Sequence, residues 1–249
     1  ETTKTGFSFG TGFEQYENTY FRPSISSYFE DLTTNSKASD NLKKQSGSYF
    51  DTKFSYNLDF DNRNQRFQTS EGSRFVFAQG IPLISEEYSL MNSIDFQKWM
   101  KFNNEIITSI GVYGKMINSL TDENVRITDR LGLPRKKLKG FQYNAVGPVD
   151  AGDYVGGNYA TAINFTSTLP MIMPSFETID FKYFIDIGNV WGVDYSSSID
   201  DSNKIRSSTG LGVEWFTPIG PMTFSLAQDI SKASTDKTEG FQFNLGTTF

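Results

Sequence analysis

The chain has 249 residues, a formal net charge of −6, and neither cysteine nor histidine. Disulfides, thiolate metal sites and every Ser-His or Cys-His catalytic set are therefore excluded, and the acidic balance argues against a nucleic-acid surface. No apolar run approaches the ~20 residues of a membrane helix, whereas 23 Phe and 12 Tyr favour strands, because aromatic side chains suit a pleated, half-buried surface.

In chain order the dominant signal is alternation with a period of two, which places successive side chains on opposite faces of a strand. Phe7, Phe9 and Phe13 alternate with Ser8, Gly10, Gly12 and Glu14. Turn formers at 15–18 precede a weaker strand over 19–30, and a long loop is predicted at 31–47. Phe50, Phe54, Tyr56, Leu58 and Phe60 then alternate with Asp51, Lys53, Ser55, Asn57 and Asp59. Asp59-x-Asp61-x-Arg63 faintly resembles a calcium loop but lacks the glycine and distal glutamate that such a loop needs. Turns at 62–64 and 70–72 lead to weaker strands near 73–82, 87–100 and 105–116. A second long loop covers 117–157, followed by a strand at 158–168; Asn164-Phe165-Thr166 fits a glycosylation sequon but falls inside that strand.

Tyr183, Ile185 and Ile187 alternate with Lys182, Asp186 and Gly188. Residues 194–204 are polar, and Asp200-Asp201 there reads as a solvated loop rather than a cation site. Ile205, Leu211, Val213 and Trp215 alternate with Arg206, Ser208, Gly210, Gly212 and Glu214; a turn at 217–220, a strand near 221–228 and a turn-rich stretch at 231–240 follow. In the last segment Phe241, Phe243, Leu245, Thr247 and Phe249 share one face, opposite Gln242, Asn244, Gly246 and Thr248. The total is about eleven strands of roughly ten residues, the length that crosses a bilayer when tilted.

Alternation alone fits two classes. In a soluble β-sandwich the apolar faces meet each other; in a membrane barrel they meet lipid, and the polar faces line the inside. Three features favour the barrel: polar faces rich in Gly and Ser, aromatics near strand ends (Trp99, Phe102, Trp191, Trp215, Phe216), and an aromatic, Phe249, closing a clean strand.

A set of ordered motifs sharpens this reading. Lys139-Gly140-Phe141, Val146-Gly147-Pro148 and Gly156-Gly157-Asn158 resemble the sixth extracellular loop and following strand of the Omp85 superfamily, whose loop carries an Arg-Gly-Phe/Tyr core. Gly210-x-Gly212-x-x-Trp215-Phe216-x-Pro218-Ile219-Gly220-Pro221, then Phe224-Ser225-x-Ala227-Gln228, is similar to the family's last hairpin. Phe241-Gln242-Phe243-x-x-Gly246-x-x-Phe249 is similar to its closing strand, and 61–74 to a strand–turn–strand upstream. The three-residue loop core alone is weak; the ordered set spans nearly the whole chain. The 215–221 stretch and the Phe249 ending look most like the barrel-assembly insertases of the family.

The resemblance implies an all-β, transmembrane antiparallel β-barrel with a long, inward-folded extracellular loop. The family barrel has about sixteen strands behind periplasmic POTRA domains, so residues 1–249 would form the C-terminal part, with the first strands and POTRA domains absent. It implies a non-enzymatic, cofactor-free protein of the bacterial outer membrane. That protein would insert unfolded outer-membrane β-barrel clients through a lateral seam by strand pairing, in contact with lipid and with accessory lipoproteins, and without nucleic acid. A family secretion pore, a passive porin and a soluble β-sandwich binding module are the alternatives.

For the site, the resemblance puts Lys139, Gly140 and Phe141 in a loop lock, with Asp186 as the wall acid. Lysine at 139 lacks the planar fork of the usual arginine, so Arg135 is a possible substitute. The next strand has Asn164 and Thr166 where an acid is often found. Phe241, Phe243, Leu245 and Phe249 are expected on the seam and targeting strand.

Overall fold

The computed structural model describes residues 1–103, 106–169, 178–199, 204–218 and 220–246. Strands β1 (Thr2–Gly10), β2 (Phe13–Tyr16), β3 (Thr19–Leu32), β4 (Gly47–Asp61), β5 (Gly72–Ile84), β6 (Ser89–Lys101) and β7 (Ile107–Ser119) form the first half. After residues 120–158, which carry the two-stranded hairpin β8 (Val149–Asp150) and β9 (Asp153–Tyr154), come β10 (Tyr159–Thr168), β11 (Ile179–Trp191), β12 (Arg206–Thr217), β13 (Gly220–Ser231) and β14 (Phe241–Leu245). All but β8 and β9 belong to one 12-stranded sheet, ordered β1-β3-β4-β5-β6-β7-β10-β11-β12-β13-β14 with β2 beside β3. Every pairing is antiparallel and follows chain order, with β2 bypassed between β1 and β3 and the β8–β9 hairpin bypassed between β7 and β10, and the main path has the eleven strands that alternation predicts.

One face of this sheet is apolar and uncovered. Phe9 on β1, Phe29 on β3, Ile163 on β10, Leu211 on β12 and Leu226 on β13 are 69%, 60%, 51%, 54% and 63% exposed. Their alternating neighbours point inward and are buried: Glu30, Asp51, Asp186 and Ser208 are at 0%. A soluble sandwich would place a second sheet over the apolar side. Here the apolar side faces outward and the polar side encloses the interior, the arrangement of a wall facing lipid.

The chain departs from the sequence reading in several places. The first strand breaks at residues 11–12, and its two parts, β1 and β2, both pair with β3. The loop after β3 contains a short helix, α1 (Asp40–Lys43), N-capped by the Ser39 hydroxyl, which accepts from the Leu42 N–H. The aromatic girdle is only partly realised. Trp215 faces outward and Tyr159 stacks on Trp191 at the opposite rim, with centroids 5.6 Å apart. Trp99 and Phe216, however, line the interior, because they share the inward parity of Asp95 and Glu214. The carboxylates of the calcium-like stretch take guanidinium groups: Asp59 accepts from Arg22 and Arg74, and Asp61 from Arg63. Asp200 and Asp201 lie outside the described residues.

Candidate functional site: the luminal loop and its anchors

Residues 120–158 fold back against the inner face of the sheet and build the molecule's main apolar core there. Val125, Leu131, Leu133, Leu138, Phe141 and Val146 from the loop pack against Ile117, Ala160, Ala162 and Val190 from β7, β10 and β11. The small alanines on the inward face of β10 leave the room. Burial of these side chains offsets the entropy of ordering a long loop, and charged anchors set its position.

The anchor the sequence points to is at the loop tip. The Lys139 ammonium lies 2.8 Å from Asp186 Oδ2, and the Lys139 backbone N–H donates to the same oxygen at 3.0 Å. Asn164 Nδ2 donates to Asp186 Oδ1 at 2.7 Å and to the Lys137 carbonyl at 2.9 Å. The asparagine that stands where the family often has an acid thus serves the one acid that is present. Asp186 is fully buried, and these donors and the cation offset the cost of desolvating its charge. The Lys139 ammonium also lies 4.3 Å from the centroid of the Phe184 ring, a cation–π contact.

Gly140 follows with φ +88°, and a Cβ there would sit 3.0 Å from the Ala227 Cβ and 3.3 Å from the Ser208 Cβ. Only glycine combines that left-handed backbone with so close an approach to the wall. Phe141 is 2% exposed, and its carbonyl accepts from Gln242 Nε2 on β14 at 2.9 Å. Beside it the Gln142 N–H donates to the Lys237 carbonyl at 2.9 Å, and the Glu239 N–H to the Gly140 carbonyl at 2.9 Å. The loop tip is therefore stitched to residues 237–242 by backbone and side chain together.

Arg135 does not reach the wall acid. It sits at the start of a 3-10 turn, Arg135–Lys137, and pairs with Glu239 at 3.6 Å, both groups substantially exposed. The turn sends Lys137 to the opposite side, where its ammonium meets Asp95 on β6 at 2.5 Å.

Two arginines that sequence reasoning missed hold the other end of the loop. Arg126 is completely enclosed: its guanidinium reaches Glu30 at 3.0 Å, Asp51 at 3.1 Å and Glu87 at 3.2 Å, and lies 4.1 Å from the centroid of the Tyr49 ring. Arg130 pairs with Asp194 and donates to Asn158 Oδ1 at 2.9 Å and the Val125 carbonyl at 3.0 Å. Burial pulls the Asp194 carboxyl upward, but donation from Asn158, the Val125 N–H and the charge of Arg130 outweigh it and hold the group below its ordinary range. A signal was present: two arginines four residues apart inside a loop, with inward-facing Glu30 and Asp51 on the strands opposite. No motif marks either.

On the closing strand, Phe241, Phe243 and Leu245 face outward at 55%, 43% and 57% exposure, and Gln242 faces inward at 2%. Among the described residues β14 pairs with β13 and β1 with β3. Phe249 lies outside the described residues.

Comparison with known proteins agrees with this architecture. An outer membrane protein assembly factor BamA from Neorickettsia risticii is 24% identical over 218 residues, covering 85% of this chain and 29% of that protein. BamA of Neisseria meningitidis serogroup B is 29% identical over 139 residues, 45% of this chain and 17% of that protein. The sorting and assembly machinery component 50 homolog of Mus musculus is 26% identical over 196 residues, 71% of this chain and 40% of that protein. The chain thus spans less than half the length of each of these relatives. The crystal structure of BamA from Haemophilus ducreyi lacking POTRA domains 1-3 superposes with a TM-score of 0.83 at 20% identity, over 97% of this chain and 53% of that one, which establishes the barrel-wall fold. The Omp85 superfamily domain model matches residues 1–249, and the chain belongs to that superfamily.

Proposed function

We propose that this chain is the outer-membrane barrel part of a β-barrel assembly and insertion factor, acting without enzymatic chemistry. The observation that carries the proposal is a wall whose outer face is apolar and whose strand β14 is held from inside by the loop tip through Gln242. A client strand entering lipid cannot leave its backbone N–H and C=O groups unpaired. A sheet edge opening onto the bilayer satisfies them by strand addition, so the wall lowers the barrier that the client would face alone. In this reading Phe241, Phe243 and Leu245 keep the edge strand at membrane depth, and Phe249 carries the targeting signal by which the protein was itself assembled. The Lys139–Asp186 pair, with Gly140 and Phe141, keeps the inner side of the edge in register.

The names of the relatives support the same reading: two are outer membrane protein assembly factors and one belongs to a sorting and assembly machinery. The partners are outer-membrane lipid, unfolded β-barrel clients and accessory lipoproteins, in a bacterial outer membrane. A passive porin is disfavoured by the loop, whose apolar core fills the interior on the side of the long loops.

The test is depletion of the protein in its host, followed by electrophoretic assay of heat-modifiable barrels. Parallel loss of many unrelated folded barrels supports the assembly role. Loss of a single secreted product or solute flux assigns the chain to a secretion pore or porin and overturns it.

A further inference from the structure

Beneath the loop, on the side of the short turns, the interior holds a cavity of about 880 Å³. This is near the upper end of the range for ligand sites. Its roof is Lys136, Lys137 and Lys139; Arg74, Lys182 and Glu214 stand on its walls; Arg63 and Arg66 lie at its mouth. Most of these charges are already matched. Arg74 is paired with Asp59, Lys137 with Asp95, Lys139 with Asp186, Lys182 with Glu214 and Arg63 with Asp61. The remaining lining acid, Asp180, stands opposite Glu214 in the β11–β12 register, beside Lys182.

Two cations remain. Among the described residues, Lys136 at the roof and Arg66 at the mouth form no ion pair, although Lys136 feels the charge of Asp95. Desolvation, then the charge of Lys137, holds the Lys136 ammonium below the ordinary lysine range against the pull of Asp95, and Arg74 adds a further positive charge nearby. The mouth is also aromatic: Phe67 meets Phe216 edge-on at 6.4 Å, and the Arg63 guanidinium lies 5.5 Å from the centroid of Trp99. At its margin the cavity reaches Asn244, Leu245 and Gly246, at the lower end of strand β14.

We propose that this cavity binds an acidic polypeptide segment, with carboxylates on Lys136 and Arg66 and an apolar side chain on the aromatic mouth. The identity of the occupant as polypeptide rests on the assembly role proposed above. A chain pairing along β14 has its adjoining residues at this mouth, because Asn244 and Leu245 at the end of that strand line the cavity. Arg66 and Lys136, both accessible from the cavity, are the groups that give such recognition its charge selectivity.

The experiment uses the protein in lipid nanodiscs with fluorescent peptides in which Glu alternates with Leu and Phe, against the same peptides with Gln for Glu. The acidic peptide should bind saturably and weaken with salt. Lys136→Glu should reduce its affinity at least about tenfold, and Lys136→Glu with Arg66→Glu should abolish binding. Lys44→Glu on the long-loop rim should leave it unchanged.

Because the chain has no cysteine, a Thr166→Cys variant provides a second readout that leaves the cations intact: a maleimide on the acidic peptide should label this lining position faster than one on the neutral peptide. Equal binding of acidic and neutral peptides, unchanged affinity in the double variant, or displacement of the peptide by glycerol phosphate at equal concentration would overturn the proposal. Absence of peptide binding from a protein that still assembles barrels would remove this site and leave the assembly role. Charge-selective binding by a protein that fails the depletion assay would leave the site and remove the role.

Discussion

Replacement of Arg126 by alanine tests whether the loop is held by a buried charge as well as by its tip. The guanidinium is 0% exposed, as are the carboxylates of Glu30 and Asp51 that it meets at 3.0 and 3.1 Å. Removing it leaves two fully buried carboxylates and the partly buried Glu87 around an empty site. Loss of one partner from a buried ion pair costs about 3–5 kcal/mol, since the surviving charge stays desolvated. Glu30 keeps Lys4 at 3.2 Å and Asp51 keeps the Ser85 hydroxyl at 2.5 Å, so the lower end, about 3 kcal/mol, is expected. Arg126→Lys retains the charge but not the three-way fork and should cost roughly half as much.

The pH dependence has a definite sign. Burial raises the Glu87 carboxyl above its ordinary 4.5, against the pull of Arg126. A carboxylate raised in the folded state contributes stability that is fully present below 4.5 and is lost as pH rises through its folded value. Without Arg126 that value rises further, so the defect of Arg126→Ala should be largest at neutral pH and shrink toward pH 4.5. Urea titration of the heat-modifiable form in detergent, at a series of pH values, measures both effects. A shift below about 1 kcal/mol, or a defect independent of pH, would refute the assignment of Arg126 as a structural anchor.

The tip gives further expectations. Gly140→Ala forces a Cβ to 3.0 Å from Ala227 at φ +88° and should loosen the loop by about 1–3 kcal/mol, read as faster tryptic cleavage near Lys136. Lys139→Ala leaves Asp186 with the backbone N–H and Asn164 and should cost about 2 kcal/mol by the same assay; unchanged cleavage and unchanged barrel assembly would end the lock hypothesis. Asp194 titrates below its ordinary 3.8, so its contribution is present above that value and lost as pH falls through the depressed one. Hydrogen-exchange protection at residues 192–199, corrected for the intrinsic rate, should therefore fall as pH drops below 3.8, and unchanged protection there would contradict the pairing with Arg130.

The sheet was legible because a strand with one lipid-type face writes its period directly into the sequence: Phe241, Gln242 and Phe243 could be assigned to faces without a structure. The first strand was read as one piece because Phe7, Phe9 and Phe13 keep their parity across the bend at residues 11–12. Trp99 and Phe216 were misplaced for a different reason. Aromatic type suggested an interface, but parity with Asp95 and Glu214 decides which way a strand residue points. At the site, Lys139, Gly140, Phe141 and Asp186 came from a resemblance and not from spacing. Arg126 and Arg130 were not found because their partners Glu30, Asp51, Glu87 and Asp194 are scattered through the chain, and only the sheet order brings them to one place.

The positions of the anchors have a mechanical consequence. Arg126 fixes the loop to β3 and β4, Lys137 to β6, Lys139 to β11, and Phe141 to β14, so one short segment touches strands from both ends of the sheet order. If these attachments were independent, Arg126→Ala and Lys139→Ala would add, as well-separated substitutions do to within about 0.5 kcal/mol. Between them, however, lies a continuous apolar body: Val125, Leu131, Leu133, Leu138 and Phe141 are all buried in one cluster. Packed interiors shift between discrete arrangements rather than deforming smoothly, so release at one end should disturb the seating of the other. The expected result is a double-mutant coupling above about 0.5 kcal/mol in urea titration, with cleavage near Lys136 enhanced by Arg126→Ala alone. Strict additivity, or cleavage that responds only to Lys139→Ala, would mean that the loop is two independent attachments and that nothing links the two ends of the wall through it.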